Sequence, residues 1–284
     1  MNALLIASLV LREASRRRLL LTVALLTLVI VALTGWGFEK LATATNHGRP
    51  VPHFAIMAVS STLLIMMAFM FSVILSLGGA FLGALSTGSE IENGTLLAVI
   101  PRPITRAEII AGKWLGNAIL ITMYAGLIAG SEFLVVRAAT GYVPPHPFLA
   151  VAYLIAQALL VLTLTMCLSI RLSAIAAGFT TVVLFAIAWL GGVVGLIASV
   201  FHNDTVHQAS LALSLAIPTD GLWRAAVFSL EPVAMAAMGA PTSQGVSNPF
   251  ISAGPPTAAY LMWCLFWFAC MFAATMRLFY SRDI

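Results

Sequence analysis

Few side chains in this sequence carry chemistry, and they gather in two places. The first is the stretch from Ser86 through Glu90, Glu92, Gly94-Thr95-Leu96, Pro101, Pro103-Ile104-Thr105-Arg106 and Glu108 to Lys113. It sets acidic and basic groups side by side between two long apolar runs. Carboxylates at Glu90 and Glu92 suit the first turn of a short helix, where backbone N–H groups lack partners. Gly94 interrupts that helix, and Pro101 and Pro103 forbid its continuation. Thr105 with Glu108 three residues later has the capping-box arrangement that starts a new helix. A compact helix–turn–helix with exposed charges is predicted there.

The second place is Glu132, the sole acidic residue well inside an apolar run. A carboxylate at membrane depth is costly unless it faces water or a partner. Two readings stand: Glu132 lines a polar path, or it lies close enough to the end of the run to reach headgroups or Arg137. Other clusters carry less. His202, Asp204 and His207 form a small group, but histidines five apart are poorly placed to share a metal, and a solvated loop is expected. The 12 methionines read as packing residues rather than copper ligands. Cys167, Cys264 and Cys270 lie in apolar runs with no CxxC spacing, so inert buried thiols are expected. There is no HExxH, no GxSxG and no pair of carboxylates within one run. Gly112-Lys113 leads into Trp114 with no preceding glycine-rich loop, so the backbone cradle that holds nucleotide phosphates is missing.

The elements that position these groups are set by the solvent. Of the 284 residues, 61% are hydrophobic and 8% charged, against about 45–50% and about 25% in soluble domains. So much apolar surface requires lipid around it. Six apolar runs have the length of a spanning helix: Leu19–Phe38, Phe54–Leu85, Ile109–Val136, Phe148–Ile170, Ala174–Phe201 and Ala258–Leu278. Gly191, Gly192 and Gly195 mark the fifth as the place for a broken helix. Ahead of them, Asn2 to Arg18 has a polar stripe of Ser8, Arg12, Ser15 and Arg16, which suits a helix lying in the membrane interface. Arg16-Arg17-Arg18 before the first run, with Ala42-Thr43-Ala44 after it, imitates a signal peptide, but an uncleaved first span is expected.

Orientation follows from the basic residues. With a cytoplasmic N-terminus, Arg12, Arg16, Arg17, Arg18, Arg102, Arg106, Lys113, Arg171, Arg277 and Arg282 fall inside, and Lys40, Arg49, Arg137 and Arg224 outside. That bias places both termini in the cytoplasm of a multi-pass plasma-membrane protein. The net charge of +4 is therefore topological, and nucleic acid is not an expected partner. Between Phe201 and Ala258, Val206–Ile217 and Gly221–Leu230 are too short to cross. They read as interfacial or re-entrant helices, the second capped by Thr219 or Asp220, followed by a Pro-, Gly- and Ser-rich loop from Gly239 to Pro256.

The segment from Glu90 to Lys113 resembles the permease subunits of type-2 ATP-binding-cassette exporters. Glu90 or Glu92, Gly94-Thr95-Leu96, Pro103-Ile104-Thr105-Arg106 and Lys113 stand where that family joins its second and third spans, and the whole-chain layout is similar. The resemblance implies an all-α membrane fold: an N-terminal interfacial helix (1–18), six spans, a coupling segment (86–108) and an outer segment (202–257), all in one domain (1–284). It implies that the coupling segment docks on a separate ATPase, which would hold ATP and magnesium, while this chain binds no cofactor directly. A second permease copy or paralogue would complete the path. An intramembrane enzyme and a non-transporting anchor or sensor are the competing readings.

Overall fold

The computed structural model describes residues 2–16, 19–46, 49–89, 105–201, 203–231 and 254–281. Nine α-helices make up nearly all of it: α1 Asn2–Arg16, α2 Leu19–Ala42, α3 His53–Gly83, α4 Arg106–Thr140, α5 Pro147–Leu168, α6 Ala174–Val200, α7 Asp204–Ala216, α8 Asp220–Leu230 and α9 Ala258–Tyr280. A π-helical turn, Ala84–Gly88, extends α3. The one ladder among the described residues pairs Thr45–Asn46 with Arg49–Pro50 in the link between α2 and α3.

Among the described residues, five helices are long and apolar enough to cross a bilayer: α3 with its π-helical turn, α4, α5, α6 as far as Ala198, and α9. The first apolar run lies on α2, which at 24 residues also has the length of a span. α2 rises beside α4, with Thr34 bonded to Glu132 and Gly35 against Val135. Leu25, Leu127, Leu134, Ile175, Phe179, Met262 and Leu265 stand exposed on the flanks of the bundle, where acyl chains take the place of protein.

The bundle is organised around α5. Ala158, Leu162, Thr165 and Met166 are fully enclosed there, and α3, α4, α8 and α9 all pack on it. Several polar groups on α5 are paired with neighbouring helices, as a medium without water favours. Gln157 of α5 donates to the Ser72 and Ser76 hydroxyls of α3 at 2.9 and 3.3 Å. Trp114 of α4 donates its indole N–H to Thr163 of α5 at 2.9 Å.

The fifth run is not broken. α6 is continuous from Ala174 to Val200, and its glycines serve a different purpose. A Cβ at Gly191, Gly192 or Gly195 would collide with Leu213, Asp220 or Ser210 respectively. The missing side chains form a groove in which the α7–α8 hairpin lies. Asn203 caps α7 by accepting from the Val206 N–H, and α7 then runs back along α6, so that Ser210 donates to the Gly191 carbonyl at 2.8 Å. Thr219 occupies the N-cap position of α8, but its side chain makes no capping bond.

This hairpin folds back along α6 and lies against α9. Its apex, Ile217 to Thr219, packs among Leu160, Leu164, Phe185 and Trp267. The carbonyls exposed by the turn are each met by a side chain of α9. Trp263 donates to Leu215 at 2.9 Å, Trp267 to Ala216 at 2.8 Å and Tyr260 to Pro218 at 3.0 Å.

Candidate functional site

The helix ends at residues 89 and 105 define one face of the bundle, here called basal, where α1, the end of α9 and the start of α6 also meet. Glu90, Glu92, Gly94, Thr95, Leu96 and Pro103 lie outside the described residues. Thr105, Arg106 and Lys113 are described, and the capping box predicted from sequence is present. The Thr105 hydroxyl accepts from the Glu108 N–H at 3.2 Å, and the Thr105 N–H donates to Glu108 Oε2 at 3.0 Å.

The two basic residues are not turned toward water. Arg106 Nη1 donates to the Phe279 and Tyr280 carbonyls at 3.3 and 3.2 Å, and so caps the last turn of α9 with a cation where the helix dipole favours one. Lys113 is 6% exposed, and its Nζ donates to the Ser86 carbonyl in the π-helical turn at 2.7 Å. That turn also presses on the start of α6, since a Cβ at Gly88 would sit 2.9 Å from Ala174 Cα. The flanks of the 90–104 segment are thus tied into α9, α4 and α6. None of these partners was legible in the sequence, because each joins residues far apart in the chain.

The sequence reading also missed Gly112 and Gly116. Four residues apart, they leave a shallow groove on α4 that receives Ala3, Ile6, Ala7 and Val10 of α1. The small-xxx-small spacing is the signal that would have found it. The helix expected over Asn2–Arg18 is described from Asn2 to Arg16 and is held by protein along one face, while Leu4, Leu5 and Leu9 point outward.

At the opposite, distal end, the hairpin closes over the bundle. Arg224 Nε donates to Asp220 Oδ2 at 2.7 Å, one helical turn away, and Nη2 reaches the Gly192 carbonyl at 2.7 Å. The (i, i+4) spacing of this pair is visible in the sequence; its third partner on α6 is not. Tyr142, just beyond α4, donates its hydroxyl to the Leu230 carbonyl at the end of α8. Burial, and secondarily the Glu231 carboxylate, pushes the Tyr142 phenol above its ordinary range, so the donor stays protonated.

Residues 11–284 match the family of ABC-2 family transporter proteins. The chain belongs to that family. No curated protein matches the sequence. As an ABC-2 family membrane protein, the chain has its described site residues divided between the two faces. Thr105, Arg106 and Lys113 sit together at the basal face, and Glu132 lies apart, toward the distal end of α4.

Glu132 is held inside the bundle. It is 8% exposed, and among the described residues no ion pair joins it to Arg137. Its side chain turns to Thr34 of α2, whose hydroxyl lies 3.3 Å from Oε1. His207 sits 3.5 Å from the Gly195 carbonyl, a seat in the glycine groove of this ABC-2 protein. No cluster of metal-ligating side chains occurs among the described residues.

Proposed function

We propose that the chain is the permease subunit of an ATP-driven exporter, working with a separate ATP-binding-cassette ATPase and a second permease copy or paralogue. ATP and magnesium belong to the ATPase, since the chain has no phosphate-binding glycine loop. Both termini and the basal face are cytoplasmic, in keeping with the distribution of basic residues.

The observation that carries this reading is the way the flanks of 90–104 are fastened. Lys113 binds the π-helical turn, Arg106 binds α9, and Gly88 rests on α6. A displacement applied to the segment by a docked ATPase would therefore act on three helices rather than bend one loop. α6 carries the hairpin in its glycine groove, so a push at its base has a mechanical route to the distal closure. Short π-helical turns are frequent at functional positions, where they give a helix a second local geometry.

The test is co-expression with an ATP-binding-cassette ATPase encoded beside this gene, followed by co-purification and substrate-stimulated hydrolysis in vesicles. Glu90→Ala with Glu92→Ala is expected to leave an inserted, folded subunit that captures the ATPase poorly. Truncating one partner of a desolvated charge pair at a docking surface costs about 2–5 kcal/mol. Wild-type capture and hydrolysis in that double variant would remove the segment as the docking element.

A further inference from the structure

A cavity of about 280 Å³ lies between α2, α3, α4 and α5, with Leu230 of α8 at one side. Its walls are almost wholly apolar: Met67, Phe71, Tyr124, Phe133 and Leu154 form much of the surface, and Glu132 projects into it. Rim residues Ile30, Met70 and Ile74 are exposed on the flank of the bundle, so the cavity is reached sideways, from the bilayer. At this volume it has nearly twice the room of a cavity of about 150 Å³ that holds one benzene.

The carboxylate is poorly served by the protein. Glu132 Oε2 is buried with no hydrogen-bond partner among the described residues. Oε1 has only the Thr34 hydroxyl at 3.3 Å, and that same hydroxyl lies 2.8 Å from the Ile30 carbonyl. One proton cannot serve both acceptors fully, and the closer carbonyl holds it better. Apolar walls penalise the ionised carboxylate, and a cation brought beside it from outside the fold would offset that cost.

We propose that this cavity binds amphiphilic amines: a single ammonium against Glu132 with a one- or two-ring apolar body among the methionine and aromatic side chains. A metal ion is a poor fit, because it requires several donor atoms and the walls supply one carboxylate. A phospholipid amine fits no better, since its phosphate would meet no cation in the lining. The rings of Phe71 and Tyr124, with centroids 6.3 Å apart, offer π faces that favour an alkylammonium further. The inference deepens the exporter reading by naming a ligand class.

The experiment is equilibrium binding of tritiated dimethyl-(2-naphthylmethyl)amine to the purified full chain in zwitterionic nanodiscs, with empty discs subtracted. The competitor is the uncharged hydrocarbon in which a CH replaces the nitrogen. The wild-type chain is expected to prefer the amine by about tenfold or more, as a charge-assisted contact in a dry site requires. Glu132→Gln should abolish that preference while leaving the hydrocarbon's affinity and the thermal unfolding unchanged. Ala68→Phe, which fills the cavity from α3, should exclude both probes. Equal binding of amine and hydrocarbon by the wild-type chain overturns the proposal without recourse to any variant. So does an amine affinity that Glu132→Gln leaves intact, or binding of both probes that Ala68→Phe leaves intact. No ATPase is present, so failure of ATPase capture would leave this result standing, and failure here would leave the docking result standing.

Discussion

Alanine at Gly112 or Gly116 should force α1 away from α4. A Cβ at Gly112 would stand 2.7 Å from the Ala3 carbonyl oxygen and 2.7 Å from Ile6 Cβ, where ordinary contact begins at 3.4 Å. The helices must separate by roughly 0.7 Å, a gap at which neighbouring contacts forfeit a quarter to a half of their dispersion attraction. Overpacking of this kind costs about 1–3 kcal/mol. Gly116 is slightly milder, with 2.8 Å to Val10 Cβ and 3.1 Å to the Ala7 carbonyl. Because both substitutions displace the same helix, the double variant should cost less than the sum.

The same helix supplies a control. A Cβ at Gly126 or Gly130 would meet nothing within 4 Å, so alanine there should be neutral or stabilise by up to about 1 kcal/mol through helix propensity. The assay is hydrogen–deuterium exchange across residues 2–16 in nanodiscs, together with thermal unfolding. Gly112→Ala should accelerate exchange in α1 by about 5- to 150-fold, the conversion of that cost, while Gly126→Ala leaves it unchanged. If α1 exchange is unmoved by Gly112→Ala, or if Gly126→Ala destabilises equally, close packing is not what holds α1.

Three other expectations follow from the same geometry. Lys113→Met removes a charged donor from the Ser86 carbonyl and should cost about 1.5–3 kcal/mol, read as lowered thermal stability with faster exchange in the π-helical turn. Arg106→Ala should loosen the last turn of α9, read as faster exchange at residues 277–280 with α3 unaffected; Arg106→Lys, lacking the planar fork, should restore it only in part. In topology mapping, cysteine at Ala44 should react with an impermeant reagent in intact cells and cysteine at Ser173 should not, and the reverse pattern would invert the orientation.

The parts of the structure that depend on local pattern could be read from the chain. Run lengths placed the helices, and Thr105 with Glu108 announced the start of α4 because a capping box is complete within four residues. The short apolar pieces before α9 declared themselves unable to cross. The rest depends on contacts between distant segments. Gly191, Gly192 and Gly195 look like a helix break when only chain flexibility is weighed, yet they are spaces left for Asp220, Ser210 and Leu213. Arg106 reads as a docking charge in the sequence, and its bonds to the carbonyls of Phe279 and Tyr280 could not be read there. Glu132 could be flagged by its depth alone, but the cavity before it comes from four helices and no single one reveals it.

The α7–α8 hairpin also sets an order of events during synthesis. Its groove on α6 is made before it, so α7 and α8 have somewhere to lie as soon as they emerge. Its apex is completed later, because Tyr260, Trp263 and Trp267 all belong to α9, which is made after it. Until α9 arrives, the carbonyls of Leu215, Ala216 and Pro218 lack those partners, and unpaired carbonyls away from water are strongly disfavoured. The hairpin therefore reaches its final packing only when α9 is in place, so closure of the distal end waits on that helix.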